Sequence, residues 1–240
     1  MNMNKYIRNI IAVFIISLSF TSCGDSSKSA KLEREQYVKD STARAEFVKD
    51  SIVKRRQFVF DSIARVNDSI AREKNDEIIK THKSLFIEKK DEFSNYTWVE
   101  PKDAPKYRNR NGIYCYFKLE DGIASNFRFV YQYYADDWLF IKNMIFNFDG
   151  ENNVTITPKM ETDCGDGGKI WEWCDEYVGS LSSYNGIDEE FIQKIANANA
   201  VKIKMNGKQY YDTRTLTAKQ IKSIKDTYEY YIALGGKFNY

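Results

Sequence analysis

No glycine interrupts this chain between Gly24 and Gly112, and no proline occurs before Pro101. Those two residues punctuate turns, so a stretch of this length without either is continuous helix or unfolded chain. Within it a phrase recurs: Tyr37-Val38-Lys39-Asp40-Ser41, Phe47-Val48-Lys49-Asp50-Ser51, Phe58-Val59-Phe60-Asp61-Ser62 and a shortened Val66-Asn67-Asp68-Ser69-Ile70. The serines are offset by 10, 11 and 7 residues, close to whole helical turns, so equivalent side chains return to one face. That face reads Val38, Ser41, Ala45, Val48, Ile52, Arg55, Val59, Ile63, Val66 and Ile70, and the remaining faces are almost entirely charged. A helix of about 60 residues would reach about 90 Å. A lone helix cannot bury such a stripe, so the segment is expected to be a semi-rigid spacer with transient self-pairing. An isolated helix and a disordered segment are the alternatives. Arg55 and the stripe serines argue against a very stable coiled coil. His82, the single histidine, falls on this stalk and is expected on its solvated surface.

From Tyr96 onward the hydrophobic period changes to two. Ile113 to Leu119, Ile123 to Tyr134, Trp138 to Phe148 and Val154 to Met160 are rich in aromatic and branched residues and are separated by the turn signals Glu-Asp-Gly, Ala-Asp-Asp and Asp-Gly-Glu-Asn. This pattern predicts an antiparallel meander, with Ile170 to Val178 as a fifth strand after Cys164-Gly165-Asp166-Gly167-Gly168. Asp188 can cap a helix carrying Phe191, Ile192 and Ile195. Asn206-Gly207 is a strong hairpin signal between Val201 to Met205 and Lys208 to Asp212. In that hairpin Tyr211 is expected beside Lys202 on the outer face, with Ile203 and Tyr210 pointing together into the core. Thr217 and Gln220 form a capping box that opens a last helix with Ile221, Ile224, Tyr228 and Tyr231 on one face, and Gly235 at its end. The expected class is therefore α+β: a long N-terminal helical stalk, then an antiparallel β-meander domain with two C-terminal helices. The expected division is residues 1–22 as a signal peptide, 23–93 as anchor, linker and stalk, and 94–240 as the globular domain, which should fold without the stalk.

The first residues give an address. Lys5 and Arg8 precede an apolar run from Ile10 to Phe20, followed by Thr21-Ser22-Cys23-Gly24, the order of a secretory signal. The apolar run is too short to span a membrane stably. A cysteine directly after small residues resembles the lipobox of bacterial lipoproteins, and Phe20 three places before it is a form common in Bacteroidota. The resemblance implies cleavage before Cys23, lipid on that residue, and attachment to the outer membrane with the periplasmic or surface face left open. The stretch from Ile195 to Leu234 is also loosely similar to uncharacterised exported proteins of gut Bacteroidota, a resemblance that brings no activity with it.

Net charge is +2 with basic and acidic residues interspersed, so there is no basic field to attract nucleic acid. An exported chain can keep disulfides; Cys164 with Cys174 is the expected pair, and Cys115 suits a buried thiol, three reduced cysteines being equally compatible. Their spacing does not resemble a zinc site. With the histidine on the stalk, Ser-His-Asp and Cys-His chemistry are excluded from the domain. A carboxylate pair drawn from Asp163 or Asp166 with Asp175 or Glu176 remains for glycan hydrolysis, and Asp163 with Asp166 is a weak calcium candidate. The expected reading of that loop is a plain acidic turn. Trp98, Trp138, Trp171 and Trp173 with nearby tyrosines could present an aromatic platform to a sugar or a protein, although alternating aromatics are more often core. These features predict a lipid-anchored cell-envelope protein without a cofactor, presenting a non-catalytic interaction domain to a protein or glycan. A calcium-dependent binder or a carboxylate glycan hydrolase is the alternative.

Overall fold

The computed structural model describes residues 26–90, 92–165, 168–179 and 185–238. The chain divides into two compact units between Val66 and Asn67. Helix α1, Ser26–His82, runs through the first unit and ends in the second. In the first unit its stripe is unburied: Val38, Val48, Ile52, Val59, Ile63 and Val66 are 48 to 58% exposed. The Ser41 and Ser62 hydroxyls donate back to the carbonyls of Val38 (2.9 Å) and Phe58 (2.7 Å). Those side chains sit inside a continuous helix and do not mark repeated helix starts.

The second unit starts earlier than the change of sequence period predicts. The expected stalk boundary at residue 93 is corrected: α1 stops at His82, and β1, Phe86–Lys90, pairs antiparallel with β2, Tyr96–Pro101. Phe86 is buried and stacks on Tyr230, and Ile79 from the last turns of α1 packs on the same core. The charged pattern Glu88-Lys89-Lys90 concealed this strand because only its first residue faces inward. Charges on an outermost strand also discourage edge-to-edge pairing with another chain.

The class is α+β as expected, a long N-terminal helix followed by antiparallel strands and two C-terminal helices, with the strands divided between two sheets. β3, Gly112–Glu120, β4, Ile123–Ala135, β7, Glu161–Cys164, and β8, Ile170–Tyr177, join the first pair in the order β1-β2-β3-β4-β8-β7. β5, Asn143–Phe148, β6, Asn152–Ile156, β9, Val201–Asn206, and β10, Tyr211–Thr215, form the second in the order β10-β9-β5-β6. The chain thus changes sheets between Ala135 and Asn143, inside the segment expected to be a third strand. Helices α2, Glu189–Asn197, and α3, Ala218–Ala233, start where their sequence signals placed them: Asp188 accepts from the Phe191 amide, and Thr217 and Gln220 complete a capping box. Phe129 from the larger sheet, Phe146 from the smaller and Phe191 from α2 meet edge to face, with ring centroids 4.9 to 6.4 Å apart. α3 adds Tyr231, which packs on Phe117 and Phe127.

The change of sheet is held by a buried carboxylate. Glu172 of β8 is fully buried and accepts from three consecutive backbone amides, those of Leu139 (2.7 Å), Phe140 (2.7 Å) and Ile141 (2.8 Å). Phe140 adopts φ 51°, which turns neighbouring amides toward one point and makes a concave anion site. The same crossover sets the terminal hairpin. A Cβ on Gly207 would collide with the Leu139 carbonyl, and the Lys208 amide donates to that oxygen (3.0 Å). The hairpin loop is therefore longer than a two-residue turn. Tyr211 pairs with Asn206 and Ile203 with Arg214, and Tyr210 is turned out to solvent, correcting the expected register.

The expected Cys164–Cys174 disulfide is also corrected. Cys164 pairs across the ladder with Ile170, and Cys174 lies four residues further along β8, opposite Tyr131 of β4. Four strand residues span about 13 Å, twice the Cα separation of about 6 Å that a disulfide needs. All three described cysteines are free, Cys115 and Cys174 buried and Cys164 exposed. Burial pushes the Cys115 and Cys174 thiols up, so both are inert core side chains.

Two outcomes are expected. Glu172→Gln, which weakens the acceptor for three buried amides, should destabilise the chain by about 2–4 kcal/mol in urea unfolding. A fragment beginning at Asn67 should unfold cooperatively, whereas one beginning at Glu92 loses Phe86 and should be less stable by about 3–5 kcal/mol.

Candidate functional site

The two faces of the larger sheet differ in kind. Ile113, Cys115 and Phe117 of β3 and Phe129, Tyr131 and Tyr133 of β4 point into the core beneath the smaller sheet and the helices. The alternate positions point the other way. They include Tyr96 and Trp98 on β2, Tyr114, Tyr116 and Lys118 on β3, Arg128 and Tyr134 on β4, and Trp171, Trp173, Asp175 and Tyr177 on β8, with Val130 and Gln132 of β4 buried among them. The ladder places them side by side: Trp98 opposite Lys118, Tyr116 opposite Arg128, and Gln132 opposite Trp173. Most of these side chains are half-buried, as expected for large rings shielded by one another more than by a second layer.

The exposed half of this face is ordered by contacts between rings. Tyr96 meets Trp98 edge to face at 5.5 Å, and Trp98 meets Tyr116 in the same way at 5.2 Å. Tyr114 lies 6.3 Å from Tyr116, and the Lys118 ammonium sits 4.5 Å from the Tyr96 centroid. At the other end Arg108, from the loop before β3, places its guanidinium 4.2 Å from the Trp173 centroid. Between these aromatic groups lies a fixed charge pair. Arg128 Nε donates to Asp175 Oδ1 (2.9 Å), Nη2 donates to the Asp175 carbonyl (2.6 Å), and the Tyr116 hydroxyl donates to Oδ2 (2.7 Å). Both carboxylate oxygens are thus engaged, and the pair offers a guanidinium edge whose orientation is already set.

This electrostatic environment keeps the phenols neutral. Burial, with Glu100 and Asp175 adding to it, pushes Tyr114 from 10.0 up to about 12. Burial and the hydrogen bond to Asp175 push Tyr116 upward as well.

The described carboxylates of the alternative catalytic pair are not brought together. Asp163 is exposed on β7 opposite Trp171, and its carboxylate accepts from the Cys164 amide (2.8 Å). Asp175 is committed to Arg128 and Tyr116. Glu176 accepts from the Lys159 amide (2.6 Å) and from Asn185 Nδ2 (3.1 Å). Asp166 and Cys23 lie outside the described residues. Of the tryptophans, Trp98, Trp171 and Trp173 share the outer sheet face, whereas Trp138 lies on the crossover stacked on Phe140 at 5.4 Å. Arg128 was not singled out by the sequence, and the tyrosines of β2 and β3 entered only as neighbours of the tryptophans. The signal for them was present in the alternation Tyr114-Cys115-Tyr116-Phe117, where the tyrosines face opposite to Cys115 and Phe117.

No protein-family model matches the chain, and neither the curated proteins nor the solved structures compared with it give a significant match.

A pH dependence follows from the raised phenols. The folded chain holds the Tyr114 proton more tightly than the unfolded chain, so this stability is complete below pH 10.0 and is lost as the pH rises toward about 12. Urea unfolding at stepped alkaline pH should show this decline. Tyr114→Phe should reduce its slope by about one proton, because the phenol no longer distinguishes the two states.

Proposed function

We propose that this chain is a lipid-anchored protein of a bacterial outer membrane, held by lipid on Cys23, in which the outer face of the larger sheet is a non-catalytic docking surface for an envelope protein. The observation that carries the reading is the cluster of Tyr96, Trp98, Tyr114 and Tyr116 around the pre-aligned Arg128–Asp175 pair. Tryptophan, tyrosine and arginine dominate the binding energy of protein interfaces, because they join large apolar area to a polar tip and lose little conformational freedom.

A protein partner is favoured over a glycan by the way the rings lie. Stacking on a sugar needs a free ring face. Here Tyr96 is approached by Lys118 and Trp173 by Arg108, while Tyr96, Trp98 and Tyr116 meet edge to face. What the surface offers is ring edges, hydroxyl groups and a guanidinium. Pairing along the sheet edge is disfavoured by Glu88, Lys89 and Lys90 on β1 and by Glu161 and Asp163 on the short β7. The repeat-bearing helix serves as a spacer, and its exposed stripe gives it the means to pair with another copy.

The test uses the full chain in solubilised envelopes. A stoichiometric protein partner should be captured by the wild type and bound at least tenfold more weakly when Trp98→Ala and Tyr116→Ala are combined, both variants remaining folded. Cys23→Ala should leave the membrane fraction yet keep that partner. Equal capture by the double variant would overturn the assignment of the surface.

A further inference from the structure

His82 is not on a solvated surface. It ends α1 within the second unit, its side chain is 15% exposed, and its ring stacks on Tyr230 with centroids 6.4 Å apart. Nε2 is buried without a hydrogen-bond partner and points between two carboxylates of α3, 3.7 Å from Asp226 Oδ1 and 3.5 Å from Glu229 Oε2. Asp226 and Glu229 are three residues apart on one helix, a spacing that puts both on the same face.

The other ring nitrogen bears on what Nε2 can do. The Thr81 hydroxyl donates its one proton back to the carbonyls of Glu77 (2.9 Å) and Ile78 (3.1 Å). Nδ1 of His82 lies 3.0 Å from that hydroxyl oxygen, and in the tautomer with the proton on Nδ1 it donates there. In that tautomer Nε2 presents a lone pair to two carboxylates. Two carboxylates and a ring nitrogen turned toward one another call for positive charge between them, supplied by a proton on Nε2 or by a metal ion. An outer hydrogen bond that orients the ring and leaves the other nitrogen free is also the usual support of a metal-binding histidine.

We propose that His82 Nε2, Asp226 and Glu229 bind a divalent transition-metal ion, with zinc the best fit. Bond lengths of about 2.0–2.2 Å to nitrogen and carboxylate oxygen, set at tetrahedral angles, put neighbouring ligand atoms about 3.4 Å apart. The two separations from Nε2, 3.5 and 3.7 Å, lie near that figure and are too long for good hydrogen bonds, and all three ligand atoms fall within 4.8 Å of one another. An octahedral ion would draw the ligands to about 3.0 Å, and calcium would require more oxygens than the cluster supplies. The fourth position falls to water. Asp226 also borders a groove of about 290 Å³ that includes Leu85, Pro101 and Ser223, which gives the ion a way in. Lys222 occupies both Asp226 oxygens at 2.6 and 2.8 Å, but its side chain is 67% exposed and can withdraw into solvent when the ion enters. The site ties the end of α1 to α3 and leaves the aromatic sheet face untouched.

The experiment is a metal titration of the full chain after treatment with a chelator. Zinc should bind one ion per chain by calorimetry and raise the melting temperature by at least about 5 °C at a hundredfold excess over its dissociation constant. Cobalt(II) should give the visible spectrum of a four-coordinate ion. His82→Gln and Glu229→Gln should each abolish the spectrum and the zinc-dependent shift; Glu229→Gln is the milder change should His82→Gln unfold the chain. Lys222→Ala should tighten binding by removing the competing cation. A folded wild type that binds no zinc, or one whose zinc response survives in Glu229→Gln, would overturn the proposal. A shift produced by calcium and not by zinc would do the same.

Discussion

The carboxylate of Glu172, surrounded by the amides of Leu139, Phe140 and Ile141, is the interaction on which the architecture turns. A fully buried charge is tolerated only when hydrogen bonds replace its lost hydration, and three short ones converge here. The consequence reaches beyond the loop. By holding residues 139–141 against β8, Glu172 ends the larger sheet's claim on the chain and starts β5 in the smaller sheet. The Leu139 carbonyl then receives the Lys208 amide and excludes any side chain from Gly207, so the hairpin of β9 and β10 docks against the crossover. One buried carboxylate thus touches the change of sheet, the crossover turn and, through Leu139, the glycine requirement.

Moving strands into a second sheet frees one side of the first. A continuous meander with two helices could cover only part of a large sheet. Here the smaller sheet, α2 and α3 together close the inner face, through contacts such as Phe129 with Phe146 and Phe191 and Phe117 with Tyr231. The outer face keeps its tyrosines and tryptophans packed side by side around Arg128 and Asp175. Rings locked by their neighbours before any partner arrives lose less freedom on binding, which is why a pre-ordered aromatic surface makes an efficient interface.

What was legible in the sequence was whatever local chemistry decides. The long helix followed from missing glycine and proline, and both later helices began at Asp188 and Thr217 because capping is read from adjacent residues. Pairing was less legible. The alternation of β4 and of the segment beginning at Trp138 is compatible with neighbouring strands, and only the remote Glu172 separates them. β1 was hidden because its single buried residue, Phe86, gives no period. His82 was misplaced for the same reason: one residue at a helix end carries no pattern, and its neighbours Asp226 and Glu229 lie far away in sequence. The aromatic surface was half legible, since the tryptophans stood out while the tyrosines of β3 read equally well as core until the ladder assigned them a side.

The central claim, that this outer face is where the protein meets its partner, is tested most directly by photocrosslinking in intact cells. A photoreactive phenylalanine analogue placed at Trp98 or Tyr114 should give one discrete protein adduct. The same group at Lys202, exposed on β9 of the smaller sheet, should give none. An adduct from Lys202 with none from Trp98 or Tyr114 would contradict the account and move the interface to the other sheet.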